Sequence, residues 1–197
     1  MRPSGNAPID RRHEGQDDWP STDLIGSDRR GLPPAGPEGD VDAVLAVLHE
    51  VPDPEVPAVD VVELGIVRGI DWVEGRLRVQ VTPTYSGCPA TEAIEQQIEE
   101  ALTAAGYVAP QIERRLSPAW TTDWITEEGR EKLRAFGIAP PVGSASKRSL
   151  LGEDPAVPCP LCGSEHTERV SEFGSTACKA LYRCRDCLEP FDYFKCL

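Results

Sequence analysis

Two pairs of cysteines near the C-terminal end carry the strongest chemical signal in this 197-residue chain. Cys159-Pro-Leu-Cys162 and Cys184-Arg-Asp-Cys187 are C-x2-C knuckles with twenty-one residues between them. Two thiolates on one tight turn bind a single ion, and two such turns complete a tetrahedral sulfur shell. The separation lies just beyond the usual zinc-ribbon range, and the span Glu168 to Tyr182 can fill it with strands. A unit of roughly 40 residues with few apolar side chains needs such a staple, so metal binding here is also folding energy. Zinc is the first choice for a closed four-sulfur site; the same ligands hold an iron–sulfur cluster, and spacing does not separate the two. Redox-active dithiols are the competing reading of the pairs. Cys178 and Cys196 are spare thiols, either extra ligands of a cluster or buried small hydrophobes. His166, in Ser-Glu-His-Thr, reads as a surface residue, with replacement of a cysteine ligand as the alternative.

Cys88 stands alone, just before Pro89. Proline is favoured at the first helical position, which places this sulfur at the N-terminus of a helix, after a strand and the turn Thr84-Tyr-Ser-Gly87. Free backbone N–H groups and the helix dipole stabilise a thiolate there. Such a thiolate binds iron or copper transiently or acts as a nucleophile; an inert capping cysteine is the plain alternative. Nucleophilic catalysis needs a base, and the histidines are only His13, His49 and His166. No glycine-rich phosphate loop, paired-carboxylate hydrolase pattern or dinucleotide fingerprint is present, so an autonomous enzyme is not expected. Asp53-Pro-Glu55 offers two acids at a helix exit, although residue preferences favour a simple turn.

The elements that position these groups follow from periodicity. Val41, Val44, Leu45 and Leu48 have helical spacing. Val59 to Val67 is rich in branched residues and reads as a strand, with Gly65 a bulge or turn. Asp71 to Gly75 reads as a turn, and Leu77, Val79 and Val81 alternate as the second strand of a hairpin. Ile94, Ile98, Ala101, Leu102 and Ala105 form one face of the best helix, opposite Glu95, Glu99 and Glu100, and Gly106 stops it. Val108 to Leu116 is a further strand and Thr126 to Phe136 a last short helix. The fold class is therefore α+β: a small mixed domain over 40–137, a linker over 138–157 and a Cys-rich metal-binding ribbon over 158–197. Residues 1–39, with six Pro and six Gly, read as a disordered tail.

Charge narrows the partners. The net charge is −13, and residues 40–137 hold ten of those excess negative charges. A general nucleic-acid binder or basic membrane-surface protein needs the opposite sign. No apolar run reaches a membrane span, and Met1-Arg-Pro-Ser-Gly5 has no signal-like core, so a cytoplasmic protein is expected. In that compartment seven cysteines read as metal or redox chemistry, not as a disulfide framework.

Asp53-Pro-Glu55, Leu64-Gly-Ile66 and the Thr84-x3-Cys88-Pro89 turn resemble the small α/β iron–sulfur assembly proteins, the SufT-like factors. The resemblance implies that Cys88, with Thr84, Asp53 and Glu55 close by, transiently holds iron or an iron–sulfur cluster. Leu116-Ser-Pro-Ala-Trp-Thr-Thr-Asp-Trp-Ile125, Phe173 to Cys184 and Glu189-Pro-Phe-Asp-Tyr-Phe-Lys-Cys196 resemble PaaD-type subunits of the bacterial phenylacetyl-CoA epoxidase system, and the likeness covers 40–197. It implies an accessory protein of phenylacetate degradation that helps mature the metal centres of an oxygenase and an iron–sulfur reductase. The implied partners are those subunits and the iron–sulfur assembly machinery. A structural adaptor subunit of the oxygenase complex is the second function such a likeness allows.

Overall fold

A computed structural model describes residues 39–142 and 156–195. The expected tail up to residue 38, most of the expected linker and Cys196 lie outside them. Helix α1 (Val41–Leu48) starts on Asp40, whose side chain accepts from the Ala43 amide, and it buries Val44 and Leu48. A hairpin follows: β1 (Val67–Val73) and β2 (Arg76–Val81) pair antiparallel around Glu74-Gly75, both at positive φ. The turn is thus narrower than the expected Asp71 to Gly75, because two residues at positive φ close a hairpin whose strands keep their twist.

Helix α2 (Thr91–Ala104) crosses over to β3 (Gln111–Arg114), which lies parallel to β2. Its buried stripe is Ile94, Ile98 and Leu102, each worth about 1.5–3 kcal/mol of burial. Ala105, expected on that face, is exposed; it caps the helix. Beyond it Gly106 at φ +102 donates to the Thr103 carbonyl and Tyr107 to that of Leu102, a Schellman stop. A short 3-10 turn (Thr122–Trp124) leads to α3 (Glu127–Ala135), capped by Thr126.

The expected strand from Val59 is mostly absent: only Val67 belongs to β1, and the preceding residues form consecutive turns. The Asp60 carboxylate accepts the Val62 and Glu63 amides, while Glu63 reaches back to the Asp60 amide, a reciprocal capping box. Local side-chain acceptors outcompeted the sheet for these backbone donors. Gly65, at φ +67, lies where a Cβ would come within 2.6 Å of Trp124. That close approach seats the segment before α3 against the turns.

The second sheet has the order β4-β7-β6-β5. Strands β5 (Thr167–Ser171), β6 (Lys179–Cys184) and β7 (Pro190–Phe194) are antiparallel, and β4 (Ile138–Ala139) adds parallel to β7. The start of the segment read as a linker is therefore stitched into the ribbon sheet. Tyr182, Phe191 and Tyr193 make its small aromatic core, with Tyr182 5.9 Å from Phe191 and 5.3 Å from Tyr193 between ring centroids. Phe194 and Cys178, though carried by the ribbon, pack into the core of the first domain, where Phe194 meets Trp120 at 6.1 Å. Among the described residues no helix is long and apolar enough to cross a membrane.

Candidate functional site

Four sulfurs converge at one end of the ribbon. The first knuckle closes when Cys159 donates its amide to the Ser164 carbonyl and Gly163, at φ +76, donates to the Cys159 carbonyl. The second hangs from the end of β6, with the Cys187 amide directed at the Cys184 sulfur. The Sγ atoms of Cys159 and Cys187 lie 3.8 Å apart and those of Cys162 and Cys184 3.6 Å, all four within 4.8 Å of one another. A tetrahedral ion with metal–sulfur bonds of about 2.3 Å needs sulfur–sulfur edges of about 3.8 Å, so the quartet fits a bound metal. The Cys187 and Asp186 amides pull the Cys184 thiol down to about 6 despite burial, while burial and the neighbouring sulfurs push that of Cys187 up to about 12. His166 pairs on the surface with Asp186 at 3.2 Å and stays outside the quartet.

Cys178 is not among the four. It precedes β6, is 3% exposed, and its sulfur contacts Thr176 Oγ1 at 3.0 Å and Glu55 Oε2 at 3.9 Å. Burial pushes its thiol up, with the Glu55 charge adding to that and Thr176 opposing it.

Cys88 sits on the turn after β2, where its amide donates to the Tyr85 carbonyl. Helix α2 begins at Thr91, later than the proline position expected. The Cys88 carbonyl is therefore the acceptor for the Thr91 hydroxyl at 2.9 Å, and Pro89 lies in the turn before the helix. Cys88, Thr84 and Asp53 line one cavity of about 10 Å³ together with Thr91, Glu95 and Ile66. That is room for about one water or a bare ion, far too little for an acyl thioester.

Asp53 is 6% exposed, and its Oδ1 accepts the Glu55 and Val56 amides at 2.9 and 2.8 Å. Burial nevertheless holds its carboxyl above the ordinary value. Glu55 is raised as well, by burial and then by the Asp53 charge. The turn is a turn, as residue preference suggested, and it also brings Asp53 to the Cys88 cavity and Glu55 to Cys178. Tyr85 stands among these groups. Burial, followed by the charges of Cys88, Glu55 and Cys178, pushes its hydroxyl up to about 12. Tyr85, Thr91 and Glu95 were not anticipated. Tyr85 lies inside the turn that frames Cys88, and Glu95 lies one helical turn beyond Thr91. The approach of Cys178 has no local sequence signal.

A second group of potential ligands, His49, Asp60 and Glu63, is internally satisfied. Asp60 is held by two amides and by His49 at 2.9 Å, and Glu63 by the Asp60 amide and Lys132. Those acids brace the turns before β1, and His49 is committed to them.

Residues 41–109 match the iron-sulfur cluster assembly protein family, and residues 143–195 match the PaaD zinc beta ribbon domain. Over 157 residues the chain is 50% identical to an Escherichia coli K12 protein assigned as one of the subunits of 1,2-phenylacetyl-CoA epoxidase, covering 80% of this chain and 93% of that one. Among solved structures, a conserved hypothetical protein from Thermotoga maritima is 30% identical with a TM-score of 0.43, over 52% of this chain and 98% of its own. A Mycobacterium tuberculosis protein associated with Fe–S complex assembly and repair is 34% identical with a TM-score of 0.31, over 56% of this chain and 93% of its own.

Proposed function

Because this chain belongs to the PaaD family of 1,2-phenylacetyl-CoA epoxidase subunits, we propose that it is the maturation factor of that system, delivering iron or an iron–sulfur cluster to its redox subunits. The observation that carries this reading is the cavity where Cys88, Thr84 and Asp53 meet, within the segment matched to iron–sulfur assembly proteins. A cysteine sulfur beside carboxyl groups in a space of ionic size suits a metal that arrives and leaves. The iron is cargo here: Cys88 supplies the soft ligand, and Asp53 and Glu55 supply negative charge. The ribbon holds zinc as a resident structural ion through Cys159, Cys162, Cys184 and Cys187, a choice favoured by the closed tetrahedral fit. The clients are the oxygenase and reductase subunits in the cytoplasm, with the general iron–sulfur machinery upstream.

The test is co-production of Cys88→Ala with the reductase. The variant is expected to stay folded and to keep its ribbon metal, while the reductase emerges deficient in iron and acid-labile sulfide. Fully loaded reductase beside the variant, with the variant itself co-purifying in fixed ratio with the oxygenase, would point to a structural adaptor instead.

A further inference from the structure

Strand β2 sends Val79 and Val81 into the core, so alternation turns Gln80, and Thr82 just beyond the strand, to the opposite face of the sheet. Polar side chains there ordinarily meet water, yet Gln80 is 6% exposed and Thr82 3%. They line a cavity of about 150 Å³, against about 10 Å³ at Cys88. Ser117, Pro118 and Trp124, from the segment Leu116 to Ile125, also line it. Arg68 enters on a β-bulge: Val67 pairs with Val81 and Gly69 with Gln80, so Arg68 opposes no residue of its own. Such a bulge re-aims a side chain, and the Arg68 guanidinium lies 3.6 Å from the centre of the Trp124 ring. Gly69 leaves room for the buried amide, since a Cβ there would come within 2.8 Å of Gln80 Oε1.

The charges around this cavity do not cancel. Asp71 is taken by Arg78 through two bonds of 2.8 and 2.6 Å, and Glu113 by Arg115 at 3.0 Å and Arg78 at 3.5 Å. Arg68 makes no ion pair among the described residues; burial shifts its guanidinium below the ordinary value, and no neighbouring charge opposes that. Three guanidiniums thus stand with two carboxylates, one positive charge in excess within an otherwise acidic domain. A half-buried cation without a counter-charge is compensated by an anion.

We propose that this cavity binds the carboxylate of a small organic acid, with Arg68 as its counter-charge. One excess positive charge matches a monoanion better than a doubly charged phosphate. A guanidinium offers two parallel N–H donors to the two carboxylate oxygens, and the Thr82 and Ser117 hydroxyls line the same space as further donors. Ile70, Pro118 and the Trp124 ring give the body of the acid an apolar wall. The volume lies below the roughly 300 Å³ at which drug-sized pockets begin, which keeps the ligand small. No lining residue is shared with the Cys88 cavity, so this site holds or fails independently of the maturation reading.

The experiment titrates phenylacetate, a small acid with an apolar body, into the full zinc-filled chain at low salt, by calorimetry and by nitrogen–proton NMR. Inorganic phosphate is the comparison anion. One saturable site is expected, with the Gly69 amide and Trp124 indole resonances shifting, and phosphate should bind at least tenfold more weakly. Arg68→Gln should weaken phenylacetate binding about tenfold or more. Arg68→Lys, which keeps the charge but loses the fork, should weaken it less. Arg114→Gln removes a cation paired with Glu95 at 2.6 Å away from the cavity and should change nothing. Absence of saturation in the wild type, phosphate binding as tight as that of phenylacetate, or equal loss in Arg114→Gln would each overturn the proposal. So would unchanged binding in Arg68→Gln. Should that variant fail to fold, the wild-type spectra decide: shifts centred on Gly69, Thr82 and Trp124 support the site, and shifts centred elsewhere overturn it.

Discussion

The two sulfur sites of this molecule are built in opposite ways. The four knuckle cysteines come from two local turns and lie at the corners of one metal-sized tetrahedron. The groups around Cys88 come from separate places in the chain, mix sulfur with oxygen, and surround a space for a single ion. A closed shell of like donors keeps its metal, and its binding energy becomes folding energy. An open set of mixed donors, in which burial makes the Asp53 carboxyl resist ionisation, would on the maturation reading bind less firmly and let go. On the proposed function, holding and handing over are separated in space, about a shared core in which Phe194 and Cys178 of the ribbon pack with Trp120 of the first domain.

The largest effect tests the holding site. Removing its metal with a strong chelator, or changing Cys184 to Ser, is expected to unfold the ribbon, because structural zinc contributes about 10 kcal/mol or more in such modules. The near-ultraviolet circular dichroism of Tyr182, Phe191 and Tyr193 should collapse with the zinc content. Cys88→Ala should change neither, staying within about 1 kcal/mol of the wild type in urea. Equal damage from both substitutions would erase the distinction.

The joint between the regions comes next. Trp120 is 4% exposed, donates its indole N–H to the Leu64 carbonyl at 3.0 Å and meets the Phe194 ring. Trp120→Ala should cost about 3–5 kcal/mol and uncouple the two units. A single urea transition should become two, the later one tracking zinc loss. A single transition at an unchanged midpoint would show that the domains are joined elsewhere.

Much of the holding site was legible in sequence, because C-x2-C spacing is a local rule that needs no tertiary fold. Most of the α2 stripe and its Gly106 stop were legible for the same reason. Val59 to Ile66 misled, since branched residues favour strands but the Asp60 and Glu63 carboxylates offered the backbone nearer partners. The acids of Asp53-Pro-Glu55 stood out in sequence and their link to Cys88 came by resemblance, whereas the contact of Glu55 with Cys178 depends on how the ribbon docks, which no periodicity encodes. Sites made of one segment are readable; sites made by packing are not.

The smallest effect probes the handing-over site most finely. Burial raises the folded-state pKa of Asp53 above its unfolded value near 3.8. Between those two values the folded state binds more protons than the unfolded one, so stability falls as pH rises through that window. Asp53→Asn keeps an Oδ1 to accept the Glu55 and Val56 amides but removes the charge. At neutral pH it should therefore match or exceed the wild type in stability, by no more than about 1 kcal/mol. That advantage should shrink as pH falls through the unfolded-state value near 3.8, as the wild-type carboxyl becomes protonated in both states. Urea midpoints at pH 7 and pH 3.5 measure this directly. If the neutral variant is less stable at pH 7, the carboxylate is a structural acceptor and not a strained group kept for cargo. If it is more stable yet its reductase emerges poor in iron, the negative charge beside Cys88 serves transfer at the expense of the fold.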